Sequence, residues 1–299
     1  MTELFDPTAP LAASGNLRRR EIVSRLATGG AMAAAVLAIG VLAIVVYSVV
    51  HRGGSSGFNL DFLTKPPPLF GGPGGGIAPE LVGTLVIVTL ATVIAAPVGV
   101  LLALYLTEFA GRRSARIIGS AMDLMQGLPS IIVAVFVFGF LVAGVGQSGY
   151  AGAAALAIIM LPLIARSSQE VILLVPNTLR EAAEALGVGQ WRTIVGVVLP
   201  NALSGIVTGV ILAVARAAGE TAPMLVLSSV FAVNQFKLDP FTTGAVPNIP
   251  FFIYNLVEQP QPGSIERAWG AAFVLLTMIL IANFIARLLL ARSRRTLAR

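Results

Sequence analysis

Apolar residues run along this chain in long blocks rather than in alternation. Residues 27–50, "ATGGAMAAAVLAIGVLAIVVYSVV", carry no charge. At about 1.5 Å per residue such a helix exceeds the roughly 30 Å hydrocarbon core of a bilayer, so the block predicts a membrane span. A cleaved signal peptide has a shorter apolar region and a small-residue site after it, and "YSVVHR" is a poor one. Similar blocks follow at about 81–107, 117–146, 150–173, 201–231 and 268–290. The pattern predicts an all-α integral membrane protein with six transmembrane helices. Between the blocks lie a Gly/Pro loop at 51–79, the basic stretch "EFAGRRSAR", the short break "GQSGY", a polar insert at 178–200 and a longer loop at 232–266.

Composition agrees with this class. The chain is 56% hydrophobic and 11% charged, against roughly 25% charge in soluble domains. With no cysteine there is no disulfide framework and no thiolate metal site, and one histidine, His51, leaves little for His-based catalysis or zinc chemistry. The net charge of +6 raises nucleic-acid binding, but its distribution answers otherwise. Six spans place both termini on one side. The tail 1–26, the loop 108–116, the segment 166–192 and the C-terminal end from Arg287 together hold 15 of the 20 basic residues. The opposite side holds Arg52, Lys65, Lys237 and Arg267, and Arg216 lies inside a span. The positive-inside rule then places the termini (1–26 and 291–299) and the insert in the cytoplasm, with a transmembrane domain over 27–290. No nucleic-acid partner is needed to explain the charge.

The insert, "EAAEALGVGQWRTIVGVVLP" at 181–200 with its lead-in, predicts a helix–break–helix hairpin. Thr178 and Glu181 have capping-box spacing. Leu179, Ala182, Ala183 and Leu186 recur at helical spacing, and Gly187 ends the helix. The apolar stripe must pack on its own bundle, in the lipid interface or on a partner. Its pattern of Glu181-Ala182-Ala183, Gly187, then Val197 and Leu199-Pro200 resembles the EAA signature of ABC-type importer permeases, EAA–x3–G–x9–I–x–LP, with Val197 in place of Ile. The resemblance implies a type I ABC importer permease fold whose cytoplasmic coupling helices, carrying Glu181, Ala182, Ala183, Gly187, Leu199 and Pro200, dock on a separate ATPase. A phosphate-cradling P-loop needs Gly-Lys, and neither Lys65 nor Lys237 follows glycine. The chain is therefore expected to be non-catalytic and to hold no cofactor, ATP and magnesium being bound by the partner ATPase.

The fifth block reads "NALSGIVTGVILAVARAAGETAPMLVLSS", with Arg216 near its middle and Glu220 four residues on, on the same helical face. Charges in a bilayer interior face a partner or a wet path. The pair is either an ion pair that holds the bundle or part of a substrate path. Arg is always charged and binds carboxylate or phosphate through a planar fork, which for a path makes the cargo an anion.

"ARAAGETAP" at 215–223 further resembles the R-x-x-G-E-T segment of phosphate importer permeases of the PstA/PstC type. "FLTKPP" (62–67), "GGIAPELVGTL" (75–85) and "GLPSII" (127–132) agree, the first two favouring the PstA type. This likeness implies a pore shared with a second, PstC-type permease, a PstB-type ATP-binding subunit dimer, a PstS-type extracytoplasmic phosphate-binding protein, inorganic phosphate as cargo, and Arg216 and Glu220 on the anion path. An importer of sulfate, molybdate or an organic anion is the alternative.

Other features point elsewhere only weakly. Asp123 reads as a solvated or capping acid near a membrane entrance, or as a path residue if "GLPS" breaks the helix. Gly205 and Gly209 form a GxxxG pair suited to close helix packing. "GGSSG" at 53–57 matches a nucleophile-elbow spacing but has neither strand–turn–helix context nor a His partner. A secondary transporter would show internal repeats and no insert. The 232–266 loop is expected outside, as part of a docking surface for the binding protein.

Overall fold

The computed structural model describes residues 15–68, 74–230, 244–259 and 262–297. All regular structure among them is helical. Two units are distinguished, residues 1–51 and 52–299.

The first unit is described from residue 15 onward and consists of the greater part of helix α1 (Gly15–Gly57). Its side chains from 19 to 45 are exposed, as suits a helix whose uncharged stretch is apolar all round. Arg25 pairs with Glu21 one turn back at 2.7 Å. The lone histidine stacks on Tyr47, ring centroids 5.5 Å apart, which gives it a packing role.

The second unit is a helical bundle. Its core is built by α3 (Ala78–Leu104), α6 (Gly149–Leu173) and α9 (Leu199–Ala218). Ile87, Ala91 and Ala95 of α3 meet Leu156, Met160 and Ile164 of α6 and Ala213 and Ala217 of α9. Alanines alternate there with larger side chains; lipid offers no hydrophobic drive between helices, so the close backbone approach that the alanines allow supplies much of the packing. A side chain on Gly205 would collide with Val171, and one on Gly209 with Ser167. The GxxxG pair thus closes α9 onto α6. Gly209→Leu is expected to strain this contact by about 1–3 kcal/mol, the usual range for overpacking. Lower accumulation in the membrane and a lower midpoint of thermal unfolding would show it.

Those two contacts also fix the register. α9 runs antiparallel to α6, with 205 opposite 171 and 209 opposite 167. Continuing the pairing brings Arg216 level with Met160, near the middle of α6.

Several expected elements differ in form. The block 117–146 is two helices, α4 (Arg112–Gly127) and α5 (Ser130–Val137, continued as a π-turn to Val142), bent by 99° at Leu128-Pro129. Pro129 carries no N–H and holds the residue before it extended, which breaks the helix. The block 201–231 is also interrupted. α9 stops at Ala218, Gly219 and Glu220 close it with i→i−3 bonds to Arg216 and Ala217, and α10 (Ala222–Leu227) starts afresh at a proline-bearing first turn. Among the described residues five helices are long and apolar enough to cross a membrane, or six if the bent α4–α5 pair counts as one span.

The expected loop 51–79 opens as helix. α1 continues through "GGSSG" to Gly57, and α2 (Leu60–Thr64) follows. Gly53 lies against the Trp269 backbone and Gly57 against the Phe273 ring, on α12 (Pro262–Leu297). These glycines therefore allow close approach within a helix. Of the expected loop 232–266, residues 232–243 and 260–261 lie outside the described residues, as does residue 231 at the end of the expected fifth span, and α11 (Ile249–Glu258) occupies the middle of the loop.

Candidate functional site

Two places in the second unit concentrate charge and irregular backbone. The first is a cavity of about 240 Å³. The α4–α5 break supplies one wall through Gln126, Pro129 and Ser130, the middle of α6 another through Ile158 and Leu163, and Arg216 and Glu220 complete it. Both interrupted helices therefore open onto one space. Non-helical backbone at membrane depth persists where it lines a cavity, and discontinuous helices build the midplane sites of transporters.

Arg216 sits in the last turn of α9, so it is not at the midpoint of a continuous span. It is nonetheless level with the middle of the bundle. A cation there is favoured by the negative end of the helix dipole. Its Nε lies 3.6 Å from Glu220 Oε1, and the pair is lopsided in exposure, 62% for Arg216 against 18% for Glu220. Glu220 lies past the helix end, so the pair bridges a chain break. Among the described residues no hydrogen bond occupies the terminal guanidinium nitrogens of Arg216. That leaves the face of the fork that binds oxyanions open. Gln126 holds the α4–α5 break to α6 by donating from Nε2 to the Pro162 carbonyl at 3.4 Å. The positive end of α5 also begins at this cavity, through Pro129 and Ser130.

Asp123 is not brought there. It lies on the exposed side of α4 and pairs loosely with Arg166 at 3.5 Å, an arrangement of small energetic weight.

The second place is the hairpin. α7 (Asn177–Ala185) begins after Pro176, one residue before Thr178, and no side chain caps it. The capping box of Thr178 and Glu181 is therefore not formed, because Pro176 sets the chain direction and starts the helix earlier. Its other end is as the glycine implied. Gly187 has φ +73, its N–H donates to the Glu184 carbonyl at 2.9 Å, and the Val188 N–H donates to that of Ala183 at 3.0 Å. This paired closure needs the left-handed conformation at Gly187. α8 (Gln190–Thr193) then runs through a π-turn (Ile194–Val198) into α9 without a break. Pro200 explains the π-turn. It lacks an N–H, and its ring crowds the carbonyl four residues back, so the preceding turn widens.

The hairpin's stripe splits between core and surface. Ala183 is buried, as are Ile194 and Val198, which pack on Ala103 and Leu104 of α3 and on Ile172. Leu199 packs partly against the same cluster. Glu181, Ala182 and Pro200 are exposed. Leu186 and Trp191 are 83% and 60% exposed, and Leu179 is exposed as well. The chain thus leaves an apolar tip on a polar hairpin.

Sequence spacing missed what ties the hairpin down. Arg180 Nη1 donates to the Val175 carbonyl (2.6 Å) and to Asn177 Oδ1 (3.2 Å), and Nη2 donates to Glu108 Oε1 (2.9 Å) and to the Ile172 carbonyl (3.2 Å). Gln190 Nε2 donates to the Glu108 carbonyl at 2.9 Å. In the sequence the signal was only that Arg180 directly precedes Glu181 and that Glu108 ends an uncharged run.

A bundle of membrane-length helices with a charged mid-bundle cavity and an exposed hairpin defines a multi-pass membrane transport subunit. The chain belongs to the family of binding-protein-dependent transport system inner membrane components, which matches residues 95–295. It is 37% identical over 302 residues to the phosphate transport system permease protein PstA 1 of Mycobacterium tuberculosis, covering 98% of this chain and 96% of that protein. To the phosphate transport system permease protein PstA of Yersinia pestis it is 36% identical, covering 84% of each. Among solved structures it resembles a chain of a bacterial alginate ABC transporter in complex with an alginate pentasaccharide-bound periplasmic protein. The TM-score is 0.63 at 15% identity, over 91% of this chain and 97% of that one. It also resembles the MetNI methionine ABC transporter in an inward-facing conformation, with a TM-score of 0.56 at 22% identity, over 73% and 94%. The fold is that of type I ABC importer permeases.

Proposed function

We propose that this chain is a non-catalytic permease subunit of an ATP-driven importer of inorganic phosphate. One observation carries the reading. Two interrupted helices meet at a mid-bundle cavity whose arginine is 62% exposed. A guanidinium at that depth faces neither lipid nor void without large cost, so a wet path shared with a second subunit accounts for it. The relatives' names supply phosphate as the anion.

In this reading a PstC-type permease completes the pore. A PstB-type subunit dimer, which itself binds ATP and magnesium, docks on the hairpin through Glu181, Ala182, Gly187 and the exposed tip, while Ala183 and Leu199 pack inward and Pro200 sets the π-turn. A PstS-type binding protein delivers phosphate from outside. Both termini and the hairpin lie in the cytoplasm. ATP-driven movement reaches the cavity through α8, the π-turn and α9, which form one continuous rod with Arg216 in its last turn. Arg216 holds phosphate weakly, because a path that binds its cargo tightly does not release it.

Uptake of radiolabelled phosphate at micromolar concentration, in cells lacking the gene and complemented with it, tests the cargo. Restored uptake that is indifferent to excess sulfate or molybdate is expected. Competition by either assigns the pore to a broader oxyanion cargo, and no restoration overturns phosphate as the cargo.

A further inference from the structure

The hairpin is joined to α6 by three residues and to α9 by continuous helix. Its polar link to α3 converges on Glu108, 72 positions from Arg180 and 82 from Gln190. Arg180 and Glu108 are 18% and 10% exposed, so water screens this pair less than a surface ion pair. Glu108 lies in the π-turn (Tyr105–Phe109) that extends α3, closed by the Ala110 N–H donating to the Tyr105 carbonyl. Both arms of the hairpin grip this one residue, α7 at its carboxylate through Arg180 and α8 at its carbonyl through Gln190. At its other end α3 is fastened too. Thr84 Oγ1 accepts from the Ile249 N–H at 2.9 Å, and Gly83 lies against the Pro247 carbonyl.

The geometry points to Arg180 and Glu108 as a positioning clamp that makes α3 a second transmission rod beside α9, carrying hairpin movement to the segment 246–249. The inference rests on the hairpin being the ATPase-docking element. The competing role for Arg180 is confined to capping the Ile172 and Val175 carbonyls at the end of α6. Glu108→Gln separates the two, since it removes the charge pair and leaves both carbonyl contacts in place.

The test uses the assembled importer in proteoliposomes, reading bound ATPase subunit, ATP hydrolysed and phosphate moved for wild type, Glu108→Gln, Arg180→Ala and the double variant. Both single variants are expected to retain the ATPase subunit and to hydrolyse ATP within about twofold of wild type, while phosphate moved per ATP falls about tenfold, the scale of pairwise coupling between residues in contact. The double variant should be no worse than Arg180→Ala. Wild-type transport per ATP in Glu108→Gln, additive losses in the double variant, or dissociation of the ATPase subunit each overturn the clamp. Gly187→Val is measured alongside. If it too transports normally, the docking reading itself falls; if it is impaired and the clamp variants are not, the clamp alone is wrong.

Discussion

Arg216→Ala is expected to lower phosphate uptake by about 10- to 100-fold, the equivalent of losing charged hydrogen bonds of roughly 1.5–3 kcal/mol. The loss has two parts. The guanidinium fork that meets the anion disappears, and Glu220, now without its partner 3.6 Å away, faces the same cavity as a bare negative charge. Repulsion then adds to lost attraction. Arg216→Lys keeps the charge but not the planar fork and should fall between. An unpaired charge in the bundle also destabilises the fold. The double variant Arg216→Ala, Glu220→Ala should therefore accumulate better in the membrane than Arg216→Ala, yet still fail to transport. Uptake normalised to membrane protein level measures both effects. Wild-type uptake in Arg216→Ala would make the pair a structural bridge across the α9–α10 break.

Leu186→Asp and Trp191→Asp should release the ATPase subunit while leaving the permease inserted. These side chains are 83% and 60% exposed in the isolated chain. Burying a leucine is worth about 1.5–3 kcal/mol, and a carboxylate placed in the same contact brings a further desolvation penalty. Neither change touches the hairpin's internal packing, which Ala183, Ile194 and Val198 provide. Co-purification of the ATPase with the tagged permease reads the outcome directly, and uptake should vanish with it. Retention of the ATPase by both variants would place the docking surface elsewhere. Gly187→Val should act more mildly. It strains a residue at φ +73, at a cost of about 1–2 kcal/mol, and misdirects the hairpin without removing its tip.

Much of this was legible in the apolar blocks and in one motif. Hydropathy sees whether a helix is buried in lipid, and spacing sees which residues share a face. Gly187 was readable because a left-handed closure has a nearly unique residue requirement. The interruptions were harder. "GLPS" and "GETAP" lie inside apolar runs whose average hides them, although both contain the glycine and proline that end helices. The second break moved Arg216 from the middle of a span to the end of a helix, and only the antiparallel register of α9 against α6 restored it to mid-bundle. Thr178 misled because local capping spacing competed with Pro176, which fixed the start of α7 one residue earlier. Arg180 and Glu108 were invisible as a pair because no local rule joins residues 72 positions apart.

The most direct measurement is phosphate accumulation in proteoliposomes holding this chain with its partner permease and ATPase subunits. Binding protein and phosphate are supplied on one side and ATP on the hairpin side. The account predicts accumulation that requires both ATP and binding protein and stops with a non-hydrolysable ATP analogue. Equal accumulation without ATP, driven by an ion gradient, would contradict it.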